Sequence, residues 1–80
     1  MGILNENIDG TKITVQIESS NLTEAIYETS SKNLNVTFKN GNIYEYDDVP
    51  WDTFTKFRMA ESQGSFFNKN IAKVYKYKRL

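Results

Sequence analysis

The stretch LNVTFKNGNIYEYDDV, residues 34–49, decides the architecture. Two strand-like runs flank Asn40-Gly41, a pair that tolerates positive φ and marks a hairpin. Loop length decides where Tyr44 and Tyr46 point. A two-residue Asn40-Gly41 loop would pair Phe38 with Ile43 and expose both tyrosines beside Asn35 and Thr37. A three-residue loop, Asn40 to Asn42, pairs Phe38 with Tyr44 and Val36 with Tyr46. One face then gathers Leu34, Val36, Phe38, Tyr44 and Tyr46, and the other carries Asn35, Thr37, Lys39, Glu45 and Asp47. A one-residue slip turns every side chain over, so burial selects the three-residue loop with its cleaner pattern. The tyrosines become a core wall with hydroxyls at its margin rather than a free stacking platform.

Upstream of the hairpin, Ile13, Val15 and Ile17 alternate with polar residues, the period of a half-buried strand. A second strand is expected around Leu22 to Thr29, although its alternation is poor. It lies between two turns, Ser19-Ser20-Asn21 and Ser30-Ser31-Lys32-Asn33, whose side chains can bond nearby backbone. Residues 1–10 show no period and read as a loose N-terminal arm ending at Gly10, with a single domain over 11–80.

Downstream, Asp47-Asp48-Val49-Pro50 ends the sheet and opens a helix over 50–62. Pro50 suits the first helical position and Asp52 favours the positive end of the helix dipole. Trp51, Phe54, Phe57 and Ala60 form one apolar stripe, which in so small a chain covers the sheet rather than lining a ligand groove. Gln63-Gly64 reads as the stop, and Ser65 as the N-cap of a short second helix over 65–72 with Phe67 and Ile71 on one face. The tail VYKYKRL alternates and is compatible with a last strand or an extended basic strip. The expected fold class is α+β: a small antiparallel sheet of three to four strands, with one helix and a short second helix packed on one face.

Eighty residues make one small domain. With 39% apolar and 25% charged residues the chain is too apolar to be disordered. It contains no Cys and no His, which removes disulfides, thiolate zinc sites, the cysteine nucleophile, the commonest general base and the commonest transition-metal ligand. Apolar runs reach two or three residues, so neither a membrane span nor a signal peptide is expected. These features point to a soluble, cytoplasmic domain with no membrane partner.

The formal net charge of zero hides a division. Residues 1–52 carry three lysines against nine carboxylates, and residues 53–80 carry seven cations against Glu61 alone. Either the basic end meets an anionic partner, or the halves pack together and neutralise each other.

Catalytic chemistry is poorly supplied. Asp47 and Asp48 are adjacent, so on a strand they face opposite ways and cannot share a substrate. With Asp52 they could hold a hard cation, but no calcium-loop spacing surrounds them and helix capping is the preferred reading. No serine has a histidine partner, and no glycine-rich phosphate loop is present. No catalytic residue, metal site or cofactor is expected, and the chain is not read as an enzyme.

Binding chemistry is better supplied, in SFFNKNIAKVYKYKRL. Cations attract phosphate, planar rings stack bases and amides bond base edges, the inventory of single-strand and RNA binders. The expected ligand-binding residues are Asn68, Lys69, Asn70, Lys73, Tyr75, Lys76, Tyr77, Lys78 and Arg79, with Lys56 and Arg58 nearby. The ligand would be RNA or another phosphate-bearing nucleotide. A basic edge strand, with Lys blocking edge-to-edge pairing, has the same appearance. The alternative function is a protein-interaction module that uses the acidic sheet face.

SSNLTEAIYE, LNVTFKNGNIYEYDDVP and AESQGSFFNKNIAKVYKYKRL, in this order, resemble the KTSC domain, a module named after the C-terminal extension of some lysyl-tRNA synthetases. The matching features are Ser19-Ser20-Asn21, Tyr44-Glu45-Tyr46, Val49-Pro50, and Gly64 to Ile71 followed by the basic aromatic end. The resemblance covers about residues 19–80. It departs at Lys76, where the family commonly carries Pro between the final tyrosines. It implies a binding module, for which RNA binding has been suggested, that also occurs as free-standing bacterial and phage proteins. A phage-encoded modulator of a host protein is one form the alternative function would take. The resemblance carries over no catalytic residues.

Overall fold

The computed structural model of the chain describes residues 2–80. Six antiparallel strands lie in chain order across one sheet: β1 (Gly2–Asp9), β2 (Lys12–Glu18), β3 (Leu22–Glu28), β4 (Asn33–Phe38), β5 (Ile43–Tyr46) and β6 (Tyr77–Arg79). Two helices, α1 (Trp51–Met59) and α2 (Gln63–Asn70), are inserted between β5 and β6. The α+β class with both helices on one face agrees with the sequence, but the sheet has six strands where three to four were expected.

The expected loose arm is instead the edge strand β1. It turns at Gly10, which sits at φ 64, and pairs with β2 from Gly2–Glu18 to Asp9–Lys12. Residues 5–9 of β1 are exposed, so burial imposes no alternation on them and the segment carries no periodic signal. In the other direction, the alternating tail is a strand only over Tyr77–Arg79, paired with β5.

The hairpin confirms the faces and corrects the register. Val36 pairs with Tyr44 and Leu34 with Tyr46, two residues away from the expected alignment. The loop is Lys39-Asn40-Gly41: Phe38 N–H donates to Asn42 O at 2.9 Å, and Gly41 N–H donates to Phe38 O at 2.9 Å. Gly41, at φ 93, takes the left-handed position that closes a three-residue loop. A shift of two preserves the parity of a strand, so both tyrosines stay on the core face.

The poor alternation of β3 has a physical origin. A bulge between Leu22 and Glu24 breaks the phase, so that Leu22, Ala25 and Tyr27 are all buried. Thr23 Oγ1 donates to Thr37 O at 3.3 Å across the irregularity.

The core lies between the sheet and the helices. Ile13, Val15, Ile17, Ala25, Tyr27, Leu34, Val36 and Tyr46 face Phe54 and Phe57 of α1 and Phe67 of α2. The Tyr27 ring stacks on Phe54 at 4.5 Å, and Tyr46 meets Phe67 edge-on at 5.3 Å. Each such aromatic, fully buried, contributes roughly 1.5–3 kcal/mol.

The helix boundaries differ from the expected ones. Pro50 is the N-cap of α1 rather than its first residue, and the helix stops at Met59 instead of continuing to 62. Gln63, 1% exposed, folds back and its Nε2 donates to Ala60 O at 2.8 Å and Arg58 O at 3.3 Å. A side-chain amide thus satisfies carbonyls that a longer helix would have used. Ser62, not Ser65, caps α2 and accepts a hydrogen bond from Ser65 N at 3.3 Å. Gln63-Gly64 therefore opens the second helix. Gly64 is buried against the Ser19-Ser20-Asn21 turn, and a Cβ there would stand 2.9 Å from Asn21 Oδ1 and 3.0 Å from Ser19 Oγ. Among the described residues no helix is long and apolar enough to cross a membrane.

Candidate nucleic-acid interface

Strand β6 has the period of two, and that period divides the basic tail between the two faces of the sheet. Tyr77 and Arg79 lie on the helix-bearing face, in register with Tyr46 and Tyr44 of β5. Lys78 lies on the opposite face, where its Nζ pairs with Glu45 Oε1 at 3.2 Å.

On the first face the rings continue outward from the core. Tyr46 is buried, Tyr44 half-buried, and Tyr77 is 56% exposed. The Tyr77 centroid stands 5.6 Å from Tyr44 and 5.4 Å from Tyr46. Burial, then the neighbouring Tyr77 and Tyr44 rings, pushes the Tyr46 hydroxyl up to about 12. It remains neutral at physiological pH and offers a donor at the margin of the core. The outcome is an exposed ring backed by two others, with the exposed Arg79 two positions along the strand on the same face.

The remaining expected residues fall into distinct environments. Lys69 and Asn68 are exposed on α2, Lys73 and Lys76 are exposed in the segment leading to β6, and Lys56 is exposed on α1. Asn70 is also exposed, with its Nδ2 donating to Phe66 O at 3.3 Å. Tyr75 is half-buried and its hydroxyl shares a 3.1 Å hydrogen bond with Thr53 Oγ1. Arg58 points away from this surface. Its NH1 pairs with Glu6 Oε2 at 2.9 Å, while the guanidinium lies 4.8 Å above Phe54 and 5.2 Å above Trp51. It ties β1 to α1. Among the described residues, two ion pairs thus join the basic end to the acidic one, through Arg58 and Lys78.

The alternation along the chain assigns Tyr44 to the core wall and leaves it out of the ligand-facing set. Its half-exposed position beside Tyr77 is readable only from the β5–β6 pairing. The polar residues of the opposite sheet face carry no motif; the sequence marks that face only as acidic.

A family model described as the KTSC domain matches residues 18–75. Among curated proteins, a lysine–tRNA ligase of Trichormus variabilis is 35% identical over 63 residues, 79% of this chain and 11% of its own. A lysine–tRNA ligase of Nostoc sp. is 37% identical over 54 residues, 68% of this chain and 10% of its own. The chain therefore spans about a tenth of the length of these relatives. The crystal structure of a KTSC domain protein from Yersinia pestis superposes with a TM-score of 0.79 at 24% identity, covering 86% of this chain and 97% of that one. At that identity the likeness is one of fold.

Proposed function

The chain belongs to the KTSC domain family, and from that premise we propose that it is a non-catalytic module that binds RNA or another phosphate-bearing nucleotide. The observation that carries this reading is the exposed Tyr77 ring, braced by Tyr44 and Tyr46, with Arg79 in the same strand and on the same face. A ring held from behind stacks a base without first being ordered, and a neighbouring guanidinium meets the phosphate. The names of its curated relatives, lysine–tRNA ligases, make RNA the first ligand to test. Lys69, Lys73 and Lys76 supply further exposed cations along the chain. Lys78 is excluded from the same surface by the parity of β6.

Fluorescence anisotropy with a labelled oligouridylate across a series of salt concentrations tests the proposal. Affinity should fall with salt, with log–log slope of about −0.7 for each phosphate neutralised. Arg79→Gln should reduce that slope by about 0.7, and Tyr77→Ala should weaken binding by ~1–3 kcal/mol while Tyr77→Phe retains it. Lys78→Gln should have little effect. If Lys76, Lys78 and Arg79 are neutralised together and affinity is unchanged, the proposal fails.

A further inference from the structure

The face of the sheet that the helices leave uncovered has a different character. Two cross-strand rows run over it side by side. One is Ile26–Asn35–Glu45–Lys78 across β3 to β6, and the other is Lys12–Glu28–Asn33 across β2 to β4. A cavity of about 250 Å³ lies over these rows. Its walls include Ile26, Asn35, Glu45, Glu28, Asn33 and Lys12. This volume is below the usual span for drug-sized ligands, roughly 300–1,000 Å³, and suits a single side chain.

The cavity is lined by two carboxylates, Glu28 and Glu45, and by an amide oxygen without a partner. Asn35 Oδ1 is buried and has no partner. A buried acceptor without a donor costs ~1–3 kcal/mol, so a ligand donor arriving there gains more than it would at a solvated site. The Glu45 side chain is 19% exposed, and its ion-pair partner Lys78 is 66% exposed and so easily displaced. Glu28 accepts from Ser30 N at 3.1 Å and Ser30 Oγ at 2.8 Å. Hydrogen bonds from Thr11 and Ser30, helped by the charge of Lys12, hold its carboxyl below the usual carboxylate range. Among the lining residues Lys12 is the single cation against two carboxylates. Its carboxylates separate it from the basic surface around Tyr77. It calls for a cation with several N–H donors fixed in one plane, which is the guanidinium.

We propose that the helix-free face of the sheet docks a partner protein that inserts an arginine side chain into this cavity. The guanidinium bonds Glu45 in place of Lys78, donates to Asn35 Oδ1, and lies within the field of Glu28. The arginine stem covers Ile26. By strand register the same face carries Asp9, Glu18, Glu24, Glu28 and Glu45 against Lys12 and Lys78, an excess of carboxylates that draws a basic partner to this side.

Two-dimensional ¹H–¹⁵N NMR on the full chain tests this with the peptide acetyl-Gly-Arg-Gly-amide, and with its citrulline analogue as the uncharged isostere. The arginine peptide should give saturable shifts centred on the Asn35 side-chain amide and the backbone of Ile26, Asn33 and Glu45; the citrulline peptide should not. Glu45→Gln should weaken binding at least tenfold. Lys78→Gln removes the internal competitor and should tighten binding several-fold. The amide spectrum of each variant reports whether it is folded. Shifts that fail to saturate, that spread evenly over acidic residues, or that survive Glu45→Gln would overturn the proposal. So would peptide-insensitive self-association that perturbs the same residues, because the occupant would then be a second copy of the chain.

Discussion

Replacing Tyr27 with phenylalanine removes one oxygen and leaves a ring that fills the same space. Tyr27 is 1% exposed, and its hydroxyl donates to Val49 O at 2.6 Å, across 22 residues of chain. The same ring stacks on Phe54 at 4.5 Å and 11°, and stands 6.0 Å from Trp51. The stacking survives the substitution and no cavity opens, so the hydrogen bond is tested alone. Its loss, at a buried carbonyl where water cannot readily substitute, should cost ~1–2 kcal/mol. For a domain of this size 1 kcal/mol moves Tm by roughly 4–8 °C, so Tyr27→Phe should melt about 4–16 °C lower. Tyr75→Phe is the comparison, because its hydroxyl bonds Thr53 at 3.1 Å in a half-buried site. It should cost less, ~0.5–1 kcal/mol. Thermal melts followed by circular dichroism, with urea titrations to confirm an unchanged m-value, measure both. A Tyr27→Phe protein that melts within about 2 °C of the parent at constant m would refute the idea that this bond anchors the Val49-Pro50 junction, and with it α1, to the sheet.

Gln63→Ala should destabilise the domain by ~2 kcal/mol, because it removes a buried donor shared among the carbonyls of Phe57 and Arg58 in α1 and of Ala60 just past its end. A urea midpoint equal to that of the parent would show that those carbonyls find other partners. Alkaline stability should fall from about pH 10 towards about pH 12. Tyr46 ionises near 10 in the unfolded chain and is pushed up to about 12 in the folded one, so its stabilising contribution is complete below the lower value and lost on approaching the upper. The slope should be ~1.4 kcal/mol per pH unit for this group, and a Tyr46→Phe protein that declines just as steeply in urea melts over that window would rule out Tyr46 as the cause.

The division of charge along the chain has two structural consequences. Glu6–Arg58 and Glu45–Lys78 join the acidic and basic ends, so part of the asymmetry is internal neutralisation. In the second pair the lysine is 66% exposed, and ion pairs open to water contribute only ~0.2–1 kcal/mol. The remaining tail cations divide by strand parity and helix position, a separation that a count of lysines and arginines cannot express.

Much of the fold was legible along the chain because period and parity are local. The alternation of Ile13, Val15 and Ile17 and the facing of Tyr44 and Tyr46 into the core follow from which side of a strand each residue occupies; of the expected stripe Trp51, Phe54, Phe57 and Ala60, the two phenylalanines are buried, while Trp51 is 47% exposed and Ala60 lies past the end of α1. Of the candidate interface, Tyr77 and Arg79 were legible as residue types in the tail, whereas Tyr44 was not, and Arg58 and Lys78 lie elsewhere. Tertiary structure decided the rest. An exposed edge strand such as β1 has no burial to impose a pattern, so only its pairing with β2 reveals it. The bulge at Leu22–Glu24 destroyed the phase that would have announced β3. The end of α1 depends on Gln63 returning to cap it, and the start of α2 on Ser62. Above all, the pairing of β6 with β5 places Tyr77 and Arg79 beside Tyr44 and turns Lys78 away to Glu45. Adjacent residues of a strand point to opposite faces, so a basic run becomes a surface only once its neighbour in the sheet is known.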